Sequence, residues 1–245
     1  MGIAERRRKC RELYRRYYAA VPSREEVLDR EISPLLSPDT VMLDAGSGAE
    51  LPLICQYAPK IAQAVGIDLE LPRQEPPPNA RILIGDLERI PLESNSVDLV
   101  VSRSVFEHLE HPERVLAELS RVLRPRGRLV LTTPNKYYYS CLLVRLFPER
   151  LKAYYFRTVF GDDSYDYFPV HYKANTRRSL RRLAATVGLR VDKIEAIRHF
   201  PFYFVFSPLL FRLGTLYDYA ITWLKLDALQ SNWLVVMTKN GERVQ

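Results

Sequence analysis

Cysteine is scarce in this chain: Cys10, Cys55 and Cys141 stand far apart, an odd number with no CxxC pair. That argues against a disulfide framework and a zinc site of the usual spacing, and it fits a reducing cytoplasm. No metal site is expected. A membrane-spanning run is also lacking. Phe200 to Phe211 is nearly uncharged, but Arg212 and Asp218 break the apolar stretch beyond it, and the run is too short to cross a bilayer as a helix. The first twenty residues, MGIAERRRKCRELYRRYYAA, are basic without an apolar core, so they do not read as a secretory signal. Internal repeats and low-complexity tracts are absent.

What is present suits a folded domain. A length of 245 residues can bury one α/β domain, or one domain with an appendage. The balance of 47% apolar and 27% charged residues is ordinary for a globular protein. A net charge of +7 points to an anionic partner: a membrane surface, a nucleic acid or an acidic substrate.

Along the chain, residues 4–20 read as a helix with a basic face and with Leu13, Tyr14, Tyr17 and Tyr18 free to pack. Ser23 and Glu26 form a capping box for a second helix that must end before Pro34. Strand and helix patterns then alternate: VMLDAG, LPLICQYA, AQAVGIDLE, RILIGD, VDLVVS, HPERVLAELSRVLRP and RLVLTT. The stretch LPRQEPPPNA is too proline-rich for a helix. The alternation predicts an α/β fold, a parallel doubly wound sheet covered on both faces, with the loop after the first strand as its ligand site. Further on, NTRRSLRRLAATVGL reads as a helix capped by Asn175 or Thr176, VDKIEAI as a strand and NWLVVMTK as a closing strand. The organisation expected is N-terminal helices as a cap (1–38), a cofactor-binding core (39–135), an aromatic lid insertion (136–174), and the rest of the core (175–245) with an apolar helical segment at 200–225.

The first loop reads LDAGSGAEL, with Asp44, Gly46 and Gly48 where a nucleotide-type loop would put them. Glycines there let backbone amides approach a ligand closely. Two further acids end the next strands. Asp68 is placed for ribose hydroxyls, and Asp86 for an adenine amino group, with Leu69 or Leu87 packing on the ring. A dinucleotide fits less well. The third glycine of its fingerprint is replaced by Glu50, whose carboxylate would face two phosphates. A cationic ligand would not be repelled. Pro52 suits the first helical turn, and Glu50 is expected to favour the helix dipole or to lie near a ligand ammonium.

These motifs resemble the class I S-adenosylmethionine-dependent methyltransferases, most of all the branch that contains the ubiquinone and menaquinone biosynthesis methyltransferases. The resemblance rests on LDAGSG (43–48), GIDLE (66–70), the long segment 85–135 and HYKANTRRSLRRLAATVGL (171–189). It implies a Rossmann-like seven-stranded sheet with the last strand reversed. It implies S-adenosylmethionine as donor and S-adenosylhomocysteine as product. By resemblance, Gly46 and Gly48 pass the methionine part, Asp44 orients the loop, Asp68 takes the ribose, Asp86 with Leu87 the adenine, and Ser102 flanks the donor. Glu107 and His108 match the family's EH pair.

Methyl transfer from a sulfonium needs alignment and exclusion of water, and a base only for a poorly ionised acceptor. His171 is the first candidate base, followed by His108, with His111 and His199 behind them. Tyr138, Tyr139 and Tyr172 are candidates for an acceptor pocket. A small-molecule or lipophilic acceptor is expected, with peripheral contact at an anionic membrane surface as the sharper reading of the apolar segment. Arg177, Arg178, Arg181 and Arg182 cluster on one helix, but such runs are usually solvated, and nucleic acid is not the expected partner. The rival readings are a regulatory protein that binds the donor without turnover, and an RNA methyltransferase.

Overall fold

In the computed structural model, residues 2–146 and 169–241 are described, together with 148, 150, 151, 155, 157 and 158. Part of the insertion expected at 136–174, including residues 161–168, lies outside the described residues.

Apolar runs of strand length become the interior of a sheet covered on both faces. They are β1 (Val41–Ala45), β2 (Gln63–Asp68), β3 (Ala80–Ile84), β4 (Val97–Arg103), β5 (Leu123–Pro134), β6 (Leu189–Ile197) and β7 (Asn232–Lys239). Their order is β3-β2-β1-β4-β5-β7-β6. The pairs β1–β2, β1–β4, β2–β3 and β4–β5 are parallel. The last strand is reversed, as expected. Asn240 at the end of β7 donates its amide to Gly188 before β6 at 3.1 Å. Ser231 before β7 donates to Ile197 at the end of β6 at 2.8 Å.

Local chemistry sets the helix ends. Helix α1 spans Ile3–Tyr18 and α2 spans Arg24–Ile32. The α2 capping box forms: the Ser23 amide donates to Glu26 Oε2 at 2.7 Å, and the Glu26 amide to Ser23 Oγ at 3.1 Å. Helix α3 (Pro52–Tyr57) opens on Pro52, and no helix bridges the proline-rich 71–78 stretch. Helix α4 (Pro112–Val122) buries Val115, Leu116, Leu119 and Val122. It ends where Leu123 turns extended, and β5 begins there, five residues earlier than the run RLVLTT predicts. Pro125 and Gly127 therefore lie within a strand, next to a register shift against β4 between Val97 and Leu99. Irregular pairing is where proline and glycine are tolerated in a sheet. Helix α5 spans Tyr139–Leu146, α6 spans Arg177–Thr186 and α7 spans Pro208–Trp223. Thr176, not Asn175, caps α6, accepting the Ser179 amide at 3.0 Å.

The chain divides into two units. One comprises Leu28–Thr133, Val170–Glu195 and Leu234–Gln245, and it carries strand ends β1 to β4. The other comprises Met1–Val27, Pro134–Pro169 and Ala196–Trp233. In the second unit Cys10, Leu13, Tyr18 and Phe211 form a core, with Phe200 and Phe204 packed on it. Asp218 is buried there and accepts hydrogen bonds from the hydroxyls of Tyr18 (2.7 Å) and Tyr138 (3.1 Å). An apolar cavity of about 330 Å³ lies beside α1, with Phe200, Phe202, Phe211, Arg7 and Arg11 among its lining residues. Among the described residues no helix is long and apolar enough to cross a membrane.

Candidate functional site

Parallel pairing sets the C-terminal ends of β3, β2, β1 and β4 side by side, with Asp44 opposite Gly66 on one flank and Val101 on the other. The loop after β1 is built for close approach. Gly46 and Gly48 take φ of 84° and 66°, in the left-handed region that only glycine enters without strain. The amides of Gly46 and Ser47 donate to the Ile67 carbonyl at 2.9 and 3.2 Å, and that of Gly48 to Asp68 Oδ2 at 2.7 Å. A Cβ on Gly46 would meet Val105 Cγ2 at 2.2 Å, whereas one on Gly48 would point into open space.

Asp44 is 1% exposed, and among the described residues neither carboxylate oxygen has a hydrogen-bond partner. Burial pushes its carboxyl up to about 8; Arg103 works against that shift and Asp68 adds to it. A buried acceptor left unpaired is costly, so this position is poised for a donor or a cation. Asp68 is half-buried. Its Oδ1 accepts the Glu70 amide at 3.1 Å, and lone-pair directions remain for a diol. Ser102 is buried, its hydroxyl donating to the Ala45 carbonyl at 2.8 Å. Asp86 is exposed just past β3, where Oδ1 accepts the Glu88 amide at 2.9 Å. Of the two leucines considered for an aromatic ring, Leu87 is buried and Leu69 is 64% exposed, so Leu69 offers the open apolar surface.

Glu50 stands apart from this group. Its side chain is exposed and pairs with Arg73 at 3.4 Å. The Arg73 amide donates to the Ala49 carbonyl at 2.9 Å, and Gln74 to the Glu50 carbonyl. Glu50 thus helps tie the loop to the proline-rich stretch. It also stands two residues before α3, because Leu51 takes the N-cap with φ 49°.

The candidate bases lie on adjoining loops of the same unit. Glu107 is buried, its Oε2 accepting the Thr133 hydroxyl at 3.3 Å, and Thr133 Oγ1 accepts from the Asn175 amide group at 2.6 Å. His108 Nε2 lies 3.9 Å from Glu107 Oε1. The Glu107 carbonyl accepts the backbone amides of His171 and Tyr172 at 2.8 and 3.1 Å, and Lys173 Nζ reaches the Glu110 carbonyl at 2.7 Å. His171 is exposed; Tyr172 is buried with φ 50°. His111 pairs with Glu113 at 3.6 Å.

The remaining candidates belong to the other unit. Tyr138 is buried on Asp218, and Tyr139 stacks on Phe204 with centroids 5.6 Å apart. His199 is held down at about 4 by burial, with Arg24 adding to the shift. Sequence reasoning missed Val105, which backs Gly46, as well as Arg103 and Arg73. Val105 follows Ser102 closely, but no spacing rule marks a residue whose role is to leave no room for a Cβ.

A family model described as a methyltransferase domain matches residues 43–131. The chain is 31% identical over 142 residues to an uncharacterised 37.1 kDa protein in a Streptomyces fradiae transposon, covering 49% of this chain and 41% of that one. It is 40% identical over 63 residues to a probable S-adenosylmethionine-dependent methyltransferase of Mycobacterium tuberculosis, covering 26% of this chain and 23% of that one. The chain thus spans less than half the length of each of these two relatives. A solved S-adenosylmethionine-dependent methyltransferase from Mesorhizobium loti is similar in fold, with TM-score 0.59 and 17% identity, covering 89% of this chain and 98% of the other.

Proposed function

We propose that this chain is a class I S-adenosylmethionine-dependent methyltransferase, supported by the methyltransferase-domain match over residues 43–131, and that it moves a methyl group onto a small-molecule or lipophilic acceptor. The observation that carries the assignment of the donor site is the buried Asp44 carboxylate, unpaired among the described residues, beside a glycine loop braced by Asp68. That donor set fits a ligand with an ammonium, a sulfonium and a ribose diol. S-adenosylmethionine supplies an activated methyl group when bound and leaves as S-adenosylhomocysteine.

The chain's own residues then have distinct tasks. Asp44 balances positive charge, Gly46 and Gly48 bring backbone close to the ligand, and Asp68 accepts from the ribose. Leu69 or Leu87 packs on the adenine, with Asp86 at its amino edge, and Ser102 holds the end of β4 against β1. His171 is the first base to test, with His108 beside it. Support comes from the Glu107 carbonyl, which fixes the His171 backbone next to the Glu107–His108 turn. The aromatic content of residues 136–174 and 200–225, with Tyr138, Tyr139 and Tyr172 among them, supports an apolar acceptor, including one drawn from a bilayer.

Calorimetry with S-adenosylmethionine and S-adenosylhomocysteine is the test. Binding of both, followed by turnover on an acceptor panel that includes quinone precursors and isoprenoid-linked compounds, is expected. Failure of both ligands to bind would end the proposal. Binding without turnover on any acceptor would favour the regulatory role.

A further inference from the structure

Helix α7 turns its faces to two different environments. Phe211, Gly214, Thr215, Asp218 and Ile221 are buried. On the opposite side Leu209, Leu213, Leu216 and Trp223 are exposed by 67, 54, 67 and 81%. Steps of four, three and seven residues keep those four side chains on one line along a helix. Leu224 and Leu226 carry the apolar strip past the helix end, both still exposed. A contiguous apolar strip on a surface marks a contact site.

The charges around the strip identify what it meets. The only acid within α7 is Asp218, which is buried; past the helix end Asp227 is exposed next to Leu226, while Arg212 and Lys225 stand exposed beside the strip. Helix α1, in the same unit, packs along α7. The Tyr18 hydroxyl donates to Asp218 at 2.7 Å and the Tyr219 hydroxyl to the Tyr17 carbonyl at 3.0 Å. Outward from that seam α1 exposes Arg6, Arg8, Lys9, Arg11, Arg15 and Arg16, against Glu5 and Glu12. Glu5 answers Lys9 at 3.8 Å.

We propose that α1 and α7 form a docking face for an anionic phospholipid bilayer. Helix α7 lies in the plane of the membrane with its leucines at the acyl boundary. Trp223 sits at headgroup depth, where an amphipathic indole is favoured, and the α1 arginines meet lipid phosphates. A row of cations with few acids suits a sheet of phosphates, and sixteen residues of helix span only about 24 Å, enough to lie on a bilayer and too little to cross one. The proposal goes beyond methyl transfer and does not depend on it.

Flotation of the full chain with vesicles is the experiment, using phosphatidylcholine alone and an equimolar mixture of phosphatidylcholine and phosphatidylglycerol. Flotation only with the anionic vesicles is expected, weakening as salt rises. Binding should carry a blue shift in emission that Trp223→Phe removes. Leu213→Glu with Leu216→Glu should abolish flotation, and Arg15→Glu with Arg16→Glu should weaken it about tenfold or more. All five changes are at exposed positions, and circular dichroism serves as the control for folding. Three outcomes would overturn the proposal: no flotation with anionic vesicles, equal flotation with neutral ones, or self-association in solution that the paired leucine changes disperse. The last would assign the strip to a second copy of the chain.

Discussion

The Gly48 amide donates to the Asp68 carboxylate at 2.7 Å, so the glycine loop and the end of the neighbouring strand are braced as one piece. A hydrogen bond to an ionised group contributes about 1.5–3 kcal/mol. Asp68→Ala removes that brace together with the proposed ribose acceptor. A fall in S-adenosylmethionine affinity of about 10- to 100-fold is expected, read by calorimetry with the fold intact by circular dichroism. Unchanged affinity would remove Asp68 from the site.

Asp44 should make donor binding depend on pH. Its carboxyl is pushed up to about 8 by burial, so the unliganded protein holds it mostly protonated at pH 7. A cation placed beside it favours the ionised form. Binding near pH 7 should therefore release a proton, and affinity should rise with pH, by up to about tenfold per unit, until about pH 8. Calorimetry in buffers of different ionisation enthalpy counts that proton. Absence of release at pH 7 would put the donor's positive charge elsewhere. In the unliganded protein the sign is opposite: the folded value lies above the ordinary 3.8, so stability from this group falls as pH rises between the two.

The two loop glycines should respond differently to alanine. Gly46→Ala adds a methyl 2.2 Å from Val105 Cγ2 at a φ of 84°, and a loss of about 2–5 kcal/mol is expected from overpacking and left-handed strain. Val105→Ala in the same chain should recover the steric part alone. Gly48→Ala meets no neighbour and should cost only about 1–2 kcal/mol. Denaturant melts of the single and double variants separate these contributions. Equal losses at the two positions would contradict the geometry.

Asp218 should leave its mark on stability rather than on donor binding. Burial raises its carboxyl to about 6, although the Tyr18 and Tyr138 hydroxyls and Arg198 favour the ionised form. Between the ordinary 3.8 and about 6, stability from this group declines as pH rises, and it is flat above. Asp218→Asn should remove that slope in melts at pH 4.5 and 7. Asp218→Ala strands two buried phenols and should cost about 2–4 kcal/mol. A slope that persists in the asparagine variant would assign it to another group.

Local chemistry made much of the fold legible. The Ser23–Glu26 box, Pro52 opening α3 and the apolar face of α4 depend on residues a turn apart, and each formed where its pattern lies. The β5 start escaped because the strand pattern begins at RLVLTT, after Pro125 and Gly127, while a register shift against β4 lets the strand absorb both. Glu50 was misleading for a related reason. Its partner, Arg73, is 23 residues away, within the proline-rich stretch, and no pattern in the chain announces that pair.

By itself the sequence determined the alternation of strands and helices, the glycine loop and the acids at the strand ends, because these rest on periodicity and turn chemistry within short windows. The tertiary structure decided which of those groups acquire unusual chemistry. Asp44 is strongly perturbed because the neighbouring strands bury it, Gly46 has no room for a Cβ because Val105 stands behind it, and Leu69 rather than Leu87 keeps its surface open. It also decided that α1 packs against α7, through Tyr18 on Asp218 and Tyr17 on Tyr219. That juxtaposition spans about two hundred positions of chain and is created by packing, which local sequence does not encode.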